Sequence, residues 1–73
     1  MSEEQTTRIP ELIRTRRTSL GLTQKQVGEA CGYQGDLAQV QLAKWESGTR
    51  PVPLDKIRGL AKILQMQIDE LIP

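Results

Sequence analysis

The stretch from Thr23 to Gly48 constrains the fold most, because it contains two short helical segments separated by a glycine-flanked turn. Thr23 and Gln26 have the spacing of a capping box, in which each side chain satisfies the other residue's backbone N–H. The pair predicts that a helix begins at Thr23, and Gly32 predicts its end. The segment 33–35 is then the turn before a second helix.

Asp36 and Gln39 repeat the capping-box spacing, so the second helix is predicted to begin at Asp36, to run to about Glu46 and to stop at Gly48. On a helical wheel its apolar side is formed by Ala38, Leu42 and Trp45, which are therefore expected to face the core. The opposite side holds small and polar residues: Asp36, Val40, Ala43, Lys44 and Ser47, with Gln39 on the flank.

This outer face has the chemistry of a helix that inserts into a DNA groove. Glutamine can pair with adenine through two hydrogen bonds, lysine can donate to guanine or phosphate, and small apolar groups can contact a thymine methyl. An ordinary solvated surface remains an equally weighted alternative for this face. Leu37 either packs beneath the first turn of the helix, which we favour, or touches a thymine methyl.

Three further helices are predicted around this pair. The first runs from about Ile9 to Leu20, with Pro10 in its first turn and Gly21 as its C-cap. Its apolar stripe is formed by Ile9, Leu12, Ile13 and Leu20. Residues 1–7 are polar and acidic, and we expect them to form a flexible N-terminal arm ahead of a domain at residues 8–73.

The fourth helix covers Leu54 to Leu64, and a short fifth covers Ile68 to Ile72. The fourth has a continuous apolar stripe: Leu54, Ile57, Leu60, Ala61 and Leu64. In helix 2 the expected inner face is Val27, Ala30 and Cys31, and Gly28 is expected where another helix approaches closely. The predicted fold class is therefore all-α, a compact five-helix bundle that contains a helix-turn-helix.

Composition argues against several functional classes. The chain has no histidine and one cysteine, so no metal site, internal disulfide or catalytic nucleophile–base pair is expected, and an enzyme is not predicted. No apolar run is long enough to span a membrane, and a cytoplasmic location is expected. No cofactor or small-molecule ligand is evident. The net charge of +1 allows only a local basic face, for which Arg14 and Lys25 are candidates.

Five motifs in order resemble the helix-turn-helix domain of phage repressors and Cro proteins, a family common among bacterial and phage regulators. They are Ile13-Arg14-x-x-Arg17, Gly21-Leu22-Thr23-Gln24, Trp45-Glu46-x-Gly48-x-Arg50, Leu60-Ala61 and Ile68-Asp69-x-Leu71. The resemblance covers nearly the whole chain. It implies a repressor-like bundle in which helix 3 is the recognition helix, with operator DNA as partner and binding as a homodimer at the nucleoid.

The resemblance also implies roles for single residues. Gln39, Val40 and Lys44 match base-reading positions. Gln24 matches a phosphate-binding position, and Thr49 and Arg50 lie in the loop after helix 3, which commonly contacts the DNA backbone. Lys25 and Arg14 are either phosphate contacts or solvated. Arg17 and Glu46 match a pair that forms a structural ion pair between helices 1 and 3.

The chain departs from the family in one place, between Gly32 and Trp45. It places Trp45 about four residues, or one helical turn, farther from Gly32 than the family usually does. The additional residues either lengthen the turn or extend helix 3 at its N-terminus, and the Asp36/Gln39 spacing favours the second alternative. Gln34 becomes a further candidate for base contact.

The predicted function is a sequence-specific transcriptional regulator, most simply a repressor that binds a pseudo-palindromic operator as a dimer. Dimer contacts are expected around Met66, Ile68 and Ile72. The alternative is an antitoxin or adaptor that uses the same fold chiefly for protein–protein interaction. A long apolar tail would have favoured that alternative, and the printed sequence has none.

Overall fold

Four α-helices and one short 3₁₀ helix make up the part of the chain that the structure describes. The structure is a computed structural model that describes the backbone of residues 2–72 and the side chains of residues 8–72. The helices are α1 (Ser2–Ser19), α2 (Gln24–Ala30), α3 (Gly35–Ser47) and α4 (Leu54–Leu64), followed by the 3₁₀ helix Ile68–Leu71. Residues 2–72 contain no β-strand.

The fold class is all-α as predicted, but the expectation of five α-helices is wrong in its last element. The segment Ile68–Leu71 is a 3₁₀ helix of four residues. A single turn of this length is characteristic of 3₁₀ geometry, because its bonds join residues three apart. Leu71 nevertheless reaches the core and is buried, so this segment closes one end of the bundle.

The first helix begins at Ser2 instead of near Ile9. Pro10 therefore lies inside α1 and not in its first turn. Proline cannot donate the helical hydrogen bond, which is why the sequence pattern favoured a later start. The backbone of residues 2–7 continues α1, and the mobility predicted for residues 1–7 stays a prediction.

The ends of α2 and α3 are set by different capping interactions. The box at α2 is confirmed, since Thr23 Oγ1 accepts from the N–H of Gln26 at 3.0 Å and Gln26 Oε1 accepts from the N–H of Thr23 at 2.8 Å. At α3 the predicted Asp36 cap is wrong. The helix begins one residue earlier, at Gly35, and Gln34 occupies the N-cap position without a side-chain cap bond.

The extra residues of this chain belong mainly to α3. Only residues 31–34 join α2 to α3, and α3 is 13 residues long. This agrees with the favoured alternative, in which the insertion adds a turn at the N-terminal end of helix 3. Gly48 closes the other end in the left-handed conformation, with φ of 77°.

The core is aliphatic around one tryptophan, and every α-helix contributes to it. Its buried members are Ile13, Val27, Cys31, Ala38, Leu42, Trp45, Ile57, Leu60, Ala61, Leu64 and Leu71. The predicted inner face of α3 is confirmed, because Ala38, Leu42 and Trp45 are all buried. Ile9 is only partly buried and packs against the edge of the core.

Four further residues of the predicted apolar faces lie outside the core, of which Leu12 and Leu20 are partly buried and the other two are exposed. Ala30 is exposed, and Gly28 takes its place on the face of α2 that meets α3. Leu54 is 82% exposed at the first position of α4. Helical spacing gives the direction of a side chain, but it does not say whether a neighbouring element extends far enough to cover it.

Gly28 is the point of closest approach between α2 and α3. A Cβ built there would lie 2.6 Å from the carbonyl carbon of Ala38 and 2.7 Å from its Cα. Real Cβ atoms essentially never lie so close to backbone atoms. The expectation of a close helix approach at Gly28 is therefore confirmed, and this contact fixes the spacing of the two helices.

Arg16 forms hydrogen bonds that link α1 to the C-terminal end of α4. Its Nε donates to the carbonyl of Leu64 at 2.9 Å, and its Nη2 donates to the carbonyl of Gln65 at 3.2 Å. Carbonyls at a helix C-terminus have no intrahelical partner, and the partial negative charge there favours a cation. Arg16 is therefore a structural residue that caps α4.

Candidate nucleic-acid interface

A hydrogen-bonded network around Glu46 holds α1, α2 and α3 together. The Nε of Arg17 donates to Glu46 Oε2 at 2.5 Å, and Arg17 Nη2 donates to Glu46 Oε1 at 3.2 Å. Arg17 Nη1 also donates to the carbonyl of Leu22 at 2.9 Å, and Gln24 Nε2 donates to Glu46 Oε1 at 3.2 Å. The network fixes the start of α2 against the last turn of α3.

An open groove of about 810 Å³ lies between the start of α2, the outer side of α3 and one face of α1. Its lining residues are Arg14, Arg17, Leu22, Thr23, Gln24, Lys25, Gln39, Ala43, Glu46 and Ser47. Because the guanidinium of Arg17 is paired with Glu46, the charges left for a ligand are those of Arg14 and Lys25, both exposed. Among the side chains that the structure describes, the groove therefore presents two cations without an ion-pair partner beside amide and hydroxyl groups.

The groove brings four of the predicted contact residues together. Arg14, Gln24 and Lys25, predicted to bind phosphate, line it together with Gln39, which is predicted to contact a base. Gln24 is only half-buried, so its amide can reach solvent while it donates to Glu46. This arrangement suits one strand of a nucleic-acid backbone, with a base edge within reach of α3.

The other predicted contacts lie outside this groove. Val40 and Lys44 share a separate side of α3, Val40 being 45% exposed and Lys44 half-buried. Gln34 is exposed ahead of α3. Thr49 and Arg50 are exposed after α3, where the Thr49 hydroxyl lies 2.7 Å from that of Ser47. The candidate interface therefore extends along the whole length of α3.

The α2–α3 turn is anchored by contacts of Tyr33 that the sequence pattern did not predict. The ring of Tyr33 packs edge-on against Trp45, with centroids 5.8 Å apart and planes at 61°. The Nζ of Lys56 lies 5.0 Å from the centroid of the Tyr33 ring. Edge-to-face pairs and cations over aromatic rings are both favourable. The single tyrosine, directly after Gly32, was the signal available in the sequence.

Cys31 is a core residue and not part of the interface. Burial raises the pKa of its thiol from an ordinary value of 9.0 to about 11, and the nearby charge of Lys56 acts in the opposite direction. The thiol is the weakly reactive form, so Cys31 behaves as a small buried hydrophobe at neutral pH. This agrees with the place predicted for it on the inner face of helix 2.

The helix-turn-helix family model matches residues 13–71 of this chain, which contain all of the network and groove described above. The chain belongs to the helix-turn-helix family, of the type found in Cro proteins and phage repressors. The resemblance inferred from the five motifs is confirmed. The matched range contains both α2 and α3, and the assignment of α3 as the recognition helix stays a prediction.

Two curated relatives of this helix-turn-helix chain are similar to it at 34% identity over 56 residues. Both are named as uncharacterized HTH-type transcriptional regulators, one from Sinorhizobium medicae and one from Rhizobium meliloti. Each match covers 77% of this chain and 37% of the relative, so the chain spans little more than a third of their length. No solved structure was found to match it.

Two features are absent among the residues that the structure describes. No helix there is both long and apolar enough to cross a lipid bilayer. Among the same residues, no group of three or more metal-binding side chains comes together.

Proposed function

We propose that this chain binds double-stranded DNA sequence-specifically and regulates transcription, as a repressor. The observation that carries the proposal is the groove, which is lined by Arg14, Gln24 and Lys25 together with Gln39 of α3. Phosphate contacts position a protein on the duplex, and contacts to base edges supply specificity. The groove provides side chains for phosphate contacts next to a side chain that can contact a base edge.

Base contacts are assigned to α3, and backbone contacts to the groove and the following loop. Gln39 and Gln34 can pair with adenine, Val40 can contact a thymine methyl and Lys44 can donate to guanine. Thr49 and Arg50 would extend the phosphate contacts past the end of α3. The ion pair of Arg17 and Glu46 would serve to hold the helices and not to bind DNA.

We also propose that two copies bind together. One recognition helix covers a short half-site, and paired helix-turn-helix proteins place their half-sites about 34 Å apart. Ile68 and Ile72 are 41% and 47% exposed beside the half-buried Met66. Exposed aliphatic groups on the segment that closes the bundle suit an isologous contact between two copies.

The test measures the affinity of the full chain for an enriched duplex and for a random duplex across a range of salt concentrations. The enriched duplex is selected from a randomised pool by the chain itself. A regulator should bind the enriched duplex at least about 10³-fold more tightly than the random one at physiological salt. Selection that yields no enriched sequence would refute the proposal. Binding of a protein partner without DNA would favour the antitoxin or adaptor role.

Lys44→Ala tests the docking of α3. It should cost about 1–3 kcal/mol of specific affinity if Lys44 contacts a base, or reduce the salt slope by about one if it contacts a phosphate. Lys62→Ala is the matched control, because Lys62 is an exposed lysine in the last turn of α4. If Lys44→Ala and Lys62→Ala behave alike on both duplexes, α3 is not the recognition helix.

A further inference from the structure

The added first turn of α3 exposes a leucine that the helix cannot turn toward the core. Leu37 is 52% exposed, although packing beneath this turn was the favoured expectation for it. Ala38, Leu42 and Trp45 occupy the buried side of the same helix, which fixes its rotation. Leu37 therefore stays on the outside while α3 keeps its present packing.

Leu37, Val40 and Lys44 lie three and then four residues apart, so they form one row along α3, called here the outer row. Its first two members are the exposed apolar side chains of this helix, at 52% and 45%. Its third member carries a positive charge. An ordinary solvent-facing row would not place two branched aliphatic side chains in succession at the N-terminal end of a helix.

Within the proposed function, on which this inference rests, we propose that the outer row selects thymine, with Leu37 and Val40 each packing against a C5-methyl group in the major groove. The methyl is the apolar feature that thymine presents in that groove, and aliphatic side chains are its complement. Lys44 at the other end of the row supplies the charge that draws the row toward the DNA.

The position of Leu37 decides which bases it would reach. Leu37 lies three residues before Val40, which is roughly 4.5 Å along the helix at about 1.5 Å per residue. Base pairs are stacked about 3.4 Å apart, so Leu37 reaches roughly one base pair beyond Val40. The inserted turn thus lengthens the recognised half-site at its outer end, and Leu37 becomes a specificity-determining residue there.

The experiment removes the methyl group without changing base pairing. Duplexes enriched from a randomised pool by the full chain are resynthesised with deoxyuridine in place of each thymidine in turn. We expect an affinity loss of about fourfold at one or two positions, which corresponds to roughly 0.8 kcal/mol for one buried methyl group. For the Leu37→Ala variant, replacing thymidine with deoxyuridine should cause no affinity loss at the position assigned to Leu37. At the position assigned to Val40, the same replacement should cause the full affinity loss.

Leu54→Ala is the matched control, because Leu54 is an exposed leucine on α4. It should keep every deoxyuridine penalty of the parent chain. The inference would be overturned if the affinity losses caused by deoxyuridine were the same in Leu37→Ala as in the parent chain. It would also be overturned if deoxyuridine caused no affinity loss in any enriched duplex. Neither result would contradict the proposed function. A failure to enrich any sequence would instead remove the proposed function and the inference together. A changed oligomeric state of Leu37→Ala in sedimentation would assign Leu37 to a contact between copies.

Discussion

Replacing Gly28 with alanine tests the contact that sets the spacing of α2 and α3. The new Cβ would lie 2.6 Å from the carbonyl carbon of Ala38, so either the backbone of α3 moves or the contact stays strained. Overpacking a close contact costs typically about 1–3 kcal/mol, and the upper part of that range applies because the opposing atoms are backbone. Alanine also favours the helix by about 1 kcal/mol over glycine.

The two effects oppose each other, and overpacking is the larger. The expected net loss is about 2 kcal/mol of the free energy of unfolding. For a domain of this size, a loss of about 2 kcal/mol lowers the midpoint of thermal unfolding by roughly 8–16 °C. Urea unfolding followed by the fluorescence of Trp45, which is 1% exposed and the sole tryptophan, measures it directly.

Gly59→Ala supplies the control, since it makes the same change inside α4. There the new Cβ would meet the carbonyl oxygen of Ala30 at 3.2 Å and the Cα of Cys31 at 3.6 Å, a contact that a small shift relieves. The same helix-propensity gain applies, so its stability should lie near that of the parent chain. A Gly28→Ala variant as stable as Gly59→Ala would refute the argument that the α2–α3 spacing is fixed at Gly28.

Three further substitutions test other parts of the structure. Arg17→Ala should lower the free energy of unfolding in urea by about 3 kcal/mol, because it leaves the largely buried carboxylate of Glu46 without its cation. A decrease below about 1 kcal/mol would mean that the ion pair contributes little to stability. Gln65→Gly should stabilise the chain by roughly 0.5–1 kcal/mol, since Gln65 has φ of 56° at the C-cap of α4; destabilisation would contradict this. Because the folded state raises the pKa of Cys31 from 9.0 to about 11, its contribution is fully present below pH 9 and is lost as pH rises toward 11. The stability advantage of the parent over Cys31→Ala in urea unfolding should therefore shrink by roughly 2 kcal/mol between pH 8 and pH 11. A constant difference would show that the thiol is not desolvated.

The sequence predicted best where local rules and packing agree. The capping box at Thr23, the left-handed glycine after α3 and the inner face of α3 all depend on a few neighbouring residues, and the structure has all three. Gly28 could also be interpreted from sequence, because glycine inside a helix is costly unless another backbone approaches it. These features required no knowledge of distant parts of the chain.

The errors arose where the outcome depends on what lies elsewhere. Leu54 follows the apolar stripe of α4, but it stands at the first position of that helix and remains 82% exposed. Ala30 lies at a helical spacing from Val27, yet the close approach of α3 turns Gly28 inward in its place. The tie of Arg16 to the carbonyls of Leu64 and Gln65 joins residues almost fifty positions apart, which no local pattern reveals.

The length of the insertion explains how a longer α3 is compatible with the rest of the fold. Four residues rotate a helix by about 400°, which is only about 40° more than one full turn. Ala38, Leu42 and Trp45 can therefore keep facing the core, and Glu46 keeps its place beside Arg17 and Gln24. An insertion of two residues would rotate the preceding turn by about 200° and direct its side chains to the opposite side of the helix. A one-turn insertion adds side chains to an existing face and leaves the scaffold beneath it unchanged, so new residues such as Leu37 can be tested for contacts with bases independently of folding.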